Sequence, residues 1–311
     1  MPDLYEQIVD AINDVYGSHP GHRAQHAKGV LCAGTFTATP EAAALTRAAH
    51  MQGDPVRAHV RFSNGSGKPD AHDGARDGRG MGVKLYLEDG ATTDIVATTL
   101  PAFAVRTPED FLELMRARRP RPDTGQPDLA KVGAFLQAHP ESQPAIQFAL
   151  ALEPRASYAQ CRYNGIHAFR FLNGAGEGRY ARYSWEPEAG EATISDEEAR
   201  GRERDYLQRE LAERLAQGPA AFRLELHLAE EGDRLDDPTA TWPEERPTVT
   251  AGRLEITELA FDREIGDDVL VFDPTRVTDG IECSADPILH ARRHAYAESV
   301  KRRTEAPRPA A

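Results

Sequence analysis

Arg292, Tyr296 and Arg303 lie near the end of the sequence, four and seven positions apart. At about 100° per residue, all three fall within about 40° of one another on a helix. This pattern sets guanidinium groups beside a phenol. Nearby positive charge favours phenolate over phenol, and a phenolate is a hard anionic ligand for ferric haem iron. A solvated basic helix with one buried tyrosine would show the same pattern.

A second group of chemically able residues is His19, His22 and His26. His22 and His26 are four apart and could share a helical face, as a zinc-binding pair would. There is no HExxH pattern. Incidental surface histidines, a metal pair and a single catalytic histidine are all open on this sequence alone. Two glycine-dense stretches follow, RFSNGSG at 61–67 and GARDGRGMGVKLY at 74–86. Neither has GKS or GKT, and no GxGxxG sits between a strand and a helix, so they fail as phosphate loops. As turns between strands they are unremarkable.

The elements that must position these residues can be read in outline. Leu4, Ile8, Ile12 and Val15 fall at helical spacing, with Asp3 as a cap, Glu6 three positions on and Gly17 at the end. Strand patterns follow at 30–37, 56–63, 82–87 and 94–105. Thr107-Pro108 reads as a cap with a first-turn proline, opening a helix to about Arg118. Another helix is expected over 128–138. Further strands are expected near 161–172, 178–185, 220–229 and 250–260, with a long charged helix over 195–216 and a final helix over 287–304. The segregation of strands and helices indicates an α+β fold with a mainly antiparallel sheet. About eight strands would permit a closed barrel. The tail TEAPRPAA reads as disordered.

Composition sets the outer limits. The chain has 311 residues, 40% hydrophobic and 28% charged, with net charge −13. Its length lets about three quarters of the unfolded surface be buried, enough for a large core or an internal cofactor pocket. The negative charge argues against nucleic acid or an anionic membrane as partner, because both need a positive face. No apolar run reaches the ~18 residues of a membrane span. The first residues show no basic and apolar signal-peptide pattern. Cys32, Cys161 and Cys283 are far apart and odd in number, which suits a reducing cytoplasm. A periplasmic location is the alternative if the N-terminus is a processed end.

Taken together, several ordered blocks resemble the catalase superfamily. HRAQHAKG at 22–29 is similar to its distal-histidine motif, and RFSNGSG and RDGRGMGVKLY to the next two blocks. DIVATTLPAFAVRTPEDF at 94–111, NGIHAFRFLN at 164–173 and WPEERPTVTAGRLEI at 242–256 follow in order. FDPTRVTDGIECSADPILHARRHAY at 272–296 resembles the proximal haem-ligand segment. The likeness covers roughly 20–305 and is greatest to the small catalase-related peroxidase branch, since the chain is shorter than typical catalases. It implies a single catalase-like domain over 1–311. The implied fold is an α+β one: an antiparallel eight-stranded β-barrel wrapped by helices and holding one haem b.

On the matching positions, the resemblance makes Tyr296 the iron ligand and Arg292 its hydrogen-bond partner. His26 becomes the distal base, oriented by Ser63. Arg23, Arg61 and Arg303 become contacts of the haem propionates, where guanidinium forks match carboxylates. Phe111 packs on the haem face, Phe103 lines the distal channel, and His167 falls near the cofactor. Two positions depart from the family pattern. Thr98 stands where catalases place asparagine, and Gln25 stands where a small apolar residue precedes the histidine. A threonine hydroxyl donates only once, whereas an asparagine amide has two N–H groups.

The implied chemistry is reduction of peroxide by an organic donor, with weak catalase action beside it. His26 would act first as base and then as acid. Two alternatives are a haem isomerase or lyase of fatty-acid hydroperoxides and a non-catalytic haem binder. The expected partners are peroxide, a small-molecule reductant and further copies of the chain, a dimer being one such form.

Overall fold

In the computed structural model, residues 2–261 and 269–305 are described. Helix α1 (Leu4–Tyr16) opens the chain. The Asp3 carboxylate accepts from the Tyr5 and Glu6 N–H groups, and Glu6 returns a bond to Asp3 N. This reciprocal cap satisfies donors that a helix start leaves open. Ile8, Val9, Ala11 and Ile12 form its buried face.

The strands then come in two runs. The first is β1 (Gly29–Ala38), β2 (Val56–Asn64), β3 (Arg79–Tyr86) and β4 (Thr92–Thr98), with helix α2 (Pro40–Leu45) between β1 and β2. Helices α3 (Pro108–Ala117), α4 (Leu129–Ala138) and α5 (Gln143–Leu150) follow. The second run is β5 (Tyr163–Asn164), β6 (Phe169–Leu172), β7 (Gly178–Pro187), β8 (Ala220–Leu228) and β9 (Thr248–Ala260). Helices α6 (Asp196–Gly201) and α7 (Tyr206–Gln217) separate β7 from β8. Strand β10 (Ile281–Cys283) and helix α8 (Pro287–Glu305) end the chain.

Each of the barrel neighbours pairs antiparallel, in the order β7-β5-β4-β3-β2-β1-β9-β8, and β8 pairs back with β7. That last pairing closes an eight-stranded barrel and removes free edges between these strands. Strands β6 and β10 extend it beside β7. Side chains alternate between its two faces. Phe62 of β2 reaches Phe222 of β8 across the interior, with ring centroids 6.0 Å apart. Its neighbours Arg61 and Ser63 therefore face outward, toward the helices. Trp185 is fully buried in the interior. Trp242 lies outside it, with the Arg182 guanidinium 4.5 Å over its ring.

Four expectations need correction. No helix forms around His22 and His26, so they share no helical face. The strand expected to run to Val105 ends at Thr98. There the Thr98 hydroxyl accepts from Leu100 N, Pro101 has no N–H to offer, and Phe103 N turns to the Pro238 carbonyl. The strand expected over 161–172 is interrupted between Asn164 and Phe169, and the gap carries His167 inward, where it bonds Asp286. The helix expected over 195–216 breaks at 202–205, where the Arg204 carbonyl is taken by Asp73 N and Lys28 Nζ. The tail from residue 306 lies outside the described residues, whereas Thr304 and Glu305 belong to α8. Among the described residues, no helix is long and apolar enough to cross a membrane.

Candidate active site

A cavity of about 490 Å³ lies between the outer face of the barrel and helices α1, α3 and α8. Ladder register builds its barrel wall. Ser63 stands opposite Gly80, Gly80 opposite Thr98, and Thr98 opposite Asn164. These four form one row across β2, β3, β4 and β5, and all line the cavity. Two residues along, Arg61, Gly82 and Val96 form a parallel row on the same face.

His26 enters from the segment before β1. Its Nδ1 lies 3.0 Å from Ser63 Oγ. Its φ of 57° is the one positive value at a non-glycine residue among those described. This left-handed conformation costs an L residue about 1–2 kcal/mol. Arg61 helps impose it by donating to the carbonyls of His26 (3.0 Å) and Ala27 (3.3 Å). Burial, followed by the charges of Arg61, Arg292 and Arg23, pulls the ring from 6.5 down to about 3. His26 is therefore neutral at ordinary pH, with a lone pair on one ring nitrogen.

Helix α8 forms the opposite wall. Arg292 donates to Tyr296 Oη from Nε (2.9 Å) and Nη2 (2.6 Å), across one helical turn. Its Nη1 lies 3.0 Å from His167 Nε2. A guanidinium only donates, so Nε2 accepts and the ring proton sits on Nδ1. That proton goes to Asp286 Oδ2 at 2.6 Å. Burial, only partly offset by Asp286, keeps His167 below its usual range and neutral. The other Asp286 oxygen caps α8 through Ile288 N and Leu289 N. A buried relay thus fixes the Arg292 fork from the helix start.

All the site residues that the family resemblance assigns line this cavity except His167, which lies behind Arg292; His19 and His22 are not among its lining residues. Phe103 and Phe111 stack on each other, with centroids 5.6 Å apart. Six arginines and one aspartate line the cavity of a chain with net charge −13. Arg23, Arg61 and Arg303 are among the six. Alongside them stand Ile8, Ile12, Phe111, Ile166, Phe272 and Ile288. An apolar slot edged by guanidinium groups suits a flat apolar ligand that carries carboxylates, and the Tyr296 oxygen can serve as a metal ligand.

The profile of the catalase family matches residues 7–307. The chain belongs to the catalase family. A catalase-related peroxidase of Mycolicibacterium paratuberculosis is 44% identical over 300 residues, covering 96% of this chain and 94% of that protein. One from Synechococcus elongatus is 34% identical, covering 96% and 88%. A solved fungal catalase superposes with a TM-score of 0.81 at 27% identity, covering 91% of this chain but 59% of the fungal one. The barrel described above is thus the catalase barrel.

Sequence reading missed Asp286, Asn164 and Gly80. The pair Asp286-Pro287 directly before a helical pattern is a legible cap signal. Nothing local marks the other two, because their place in the cavity comes from ladder register.

Proposed function

We propose that the protein is a haem-dependent peroxidase that reduces hydrogen peroxide or an organic hydroperoxide with a small organic donor. One observation carries this reading. The neutral His26–Ser63 pair and the Arg292-bonded Tyr296 phenol enter one cavity, the first from the barrel side and the second from α8.

The residues present fit haem b. Tyr296 would hold the iron, Arg23, Arg61 and Arg303 would hold the propionates, and Phe111 would pack on the ring. Bound there, haem supplies the redox chemistry, accepting oxidising equivalents from peroxide and passing them to the donor. The chain supplies proton handling. His26 takes a proton from one peroxide oxygen and returns it to the leaving oxygen, acting as base and then acid. Ser63 holds the ring in place. Arg292 keeps two donors on the Tyr296 oxygen and so would hold that oxygen in place for the iron.

The two relatives named as catalase-related peroxidases, similar over nearly their whole length, support this reading. The three free cysteines support a reducing, cytoplasmic setting. The family likeness supports a single domain and a homo-oligomer.

The test is reconstitution. Haem-free protein should take up hemin stoichiometrically, and the loaded protein should oxidise a phenolic dye in a peroxide-dependent way. Oxygen evolution measured in parallel separates catalase action. Protein that refuses hemin, or that binds it without oxidising any donor, overturns the reading.

A further inference from the structure

The segment that carries His26 is fastened from behind. Lys28, two residues on, is buried. Its ammonium lies 2.6 Å from Asp73 Oδ1 and 2.7 Å from Asp205 Oδ1. It also donates to the carbonyls of Ala71 (2.8 Å) and Arg204 (2.9 Å). Three N–H groups therefore serve four acceptors. None of the four residues lines the cavity.

Asp73 is fully buried and ties this clamp to Ser63 as well. Its carboxylate accepts from Asn64 Nδ2 (2.8 Å) and Leu207 N (2.9 Å). Asn64 follows Ser63 directly, and its N–H donates to the Lys28 carbonyl (3.0 Å). One carboxylate thus connects the segment carrying His26 to the strand carrying Ser63.

The backbone supplies an independent reason for such a clamp. A left-handed histidine persists only where its surroundings over-determine it. Arg61 holds the carbonyls of His26 and Ala27, and Ala27 N bonds the Ser66 carbonyl. Those contacts fix the segment before Lys28. The ammonium fixes its other end.

We propose that Lys28 is a positioning residue: fastened to Asp73 and Asp205, it holds His26 in the left-handed conformation with its ring against Ser63. Its catalytic consequence rests on the reading of His26 as the base. Its geometry does not.

The test follows the His26 ring in haem-free, ¹⁵N-labelled protein by NMR titration. In the native protein the ring, facing Arg61, Arg292 and Arg23, should stay neutral down to about pH 3. The double variant Lys28→Met/Asp73→Asn removes both charges and leaves no unpaired buried ion. It should raise the His26 midpoint by at least one unit toward 6.5 and slow the peroxide reaction of hemin-loaded protein at least tenfold. Asp205 is half exposed, so Asp205→Asn keeps the buried pair and should give a smaller rise in the same direction. If the double variant does not fold, Asp205→Asn carries the test.

A folded variant with an unmoved midpoint overturns the proposal, even if its melting temperature has dropped. His26→Ala separates the two readings. A moved midpoint with peroxide reactivity indifferent to His26→Ala leaves the positioning role standing and removes the base. An unmoved midpoint with a strong His26→Ala effect does the reverse.

Discussion

Gly80 stands directly across the β2–β3 ladder from Ser63, and a methyl group on it would lie 2.9 Å from Ser63 Oγ and from His26 Nδ1 and Cε1. Real Cβ atoms do not approach so closely, so the His26–Ser63 pair exists because position 80 has no side chain. Gly80→Ala should therefore displace the imidazole without disturbing the outer strands. A misplacement of about 1 Å at a reacting group costs roughly 100-fold. The expected result is a 10- to 100-fold slower reaction with peroxide and near-normal hemin uptake, read by stopped-flow absorbance. A variant with native kinetics would mean that the His26–Ser63 contact has no part in the reaction.

Arg292 invites a different substitution. Arg292→Met keeps much of the side-chain volume and removes both donors to Tyr296 Oη. Hydrogen bonds from charged groups are worth about 1.5–3 kcal/mol each. A net loss of about 2–3 kcal/mol, or roughly 30- to 150-fold in hemin affinity, is expected from absorbance titration of haem-free protein. Tyr296→Phe should weaken binding further, because the ligating oxygen itself is gone. Unchanged affinity in both would remove Tyr296 from the cofactor site.

These two relationships show what could be read from the chain beforehand. Arg292 and Tyr296 are one helical turn apart, so spacing alone brings them together. The Asp3 cap and the Thr107-Pro108 start were equally local. His26 and Ser63 are separated by 37 positions and meet only through β1–β2 pairing, which family likeness implied but no local pattern encodes. The strand interruption at His167 and the helix break at Arg204 were missed because their causes are distant. His167 is drawn to Asp286, 119 positions away, and the Arg204 carbonyl to Lys28, 176 positions away. Local propensity yields to such tertiary contacts.

Thr98 tests the balance between peroxidase and catalase action. It occupies the cavity row between Gly80 and Asn164, and its hydroxyl already accepts from Leu100 N at 3.4 Å. Thr98→Asn would bring two amide N–H donors to this wall. One added hydrogen bond of about 1 kcal/mol corresponds to roughly fivefold. The ratio of oxygen evolution to dye oxidation should rise about five- to tenfold in the variant. A ratio that stays level would move the limit on catalase action away from position 98.

His50 gives the chain an acid-sensitive point apart from the cavity. It is 1% exposed, and neither ring nitrogen has a hydrogen-bond partner among the described residues. Burial pulls the ring from 6.5 down to about 4. Between those values the unfolded chain binds a proton here that the folded chain does not. Stability from this site is therefore complete above pH 6.5 and falls as pH falls, by up to about 1.4 kcal/mol per pH unit. His26 acts in the same direction. Asp77 and Asp94, whose carboxyls burial pushes up, act in the opposite one. Subtracting a variant isolates the term. Urea unfolding of haem-free His50→Gln should show a shallower loss of stability than the parent between pH 6.5 and 4, by about 1.4 kcal/mol per unit. Parallel curves would show that the native ring charges as readily as the unfolded one, against its burial beside Phe36.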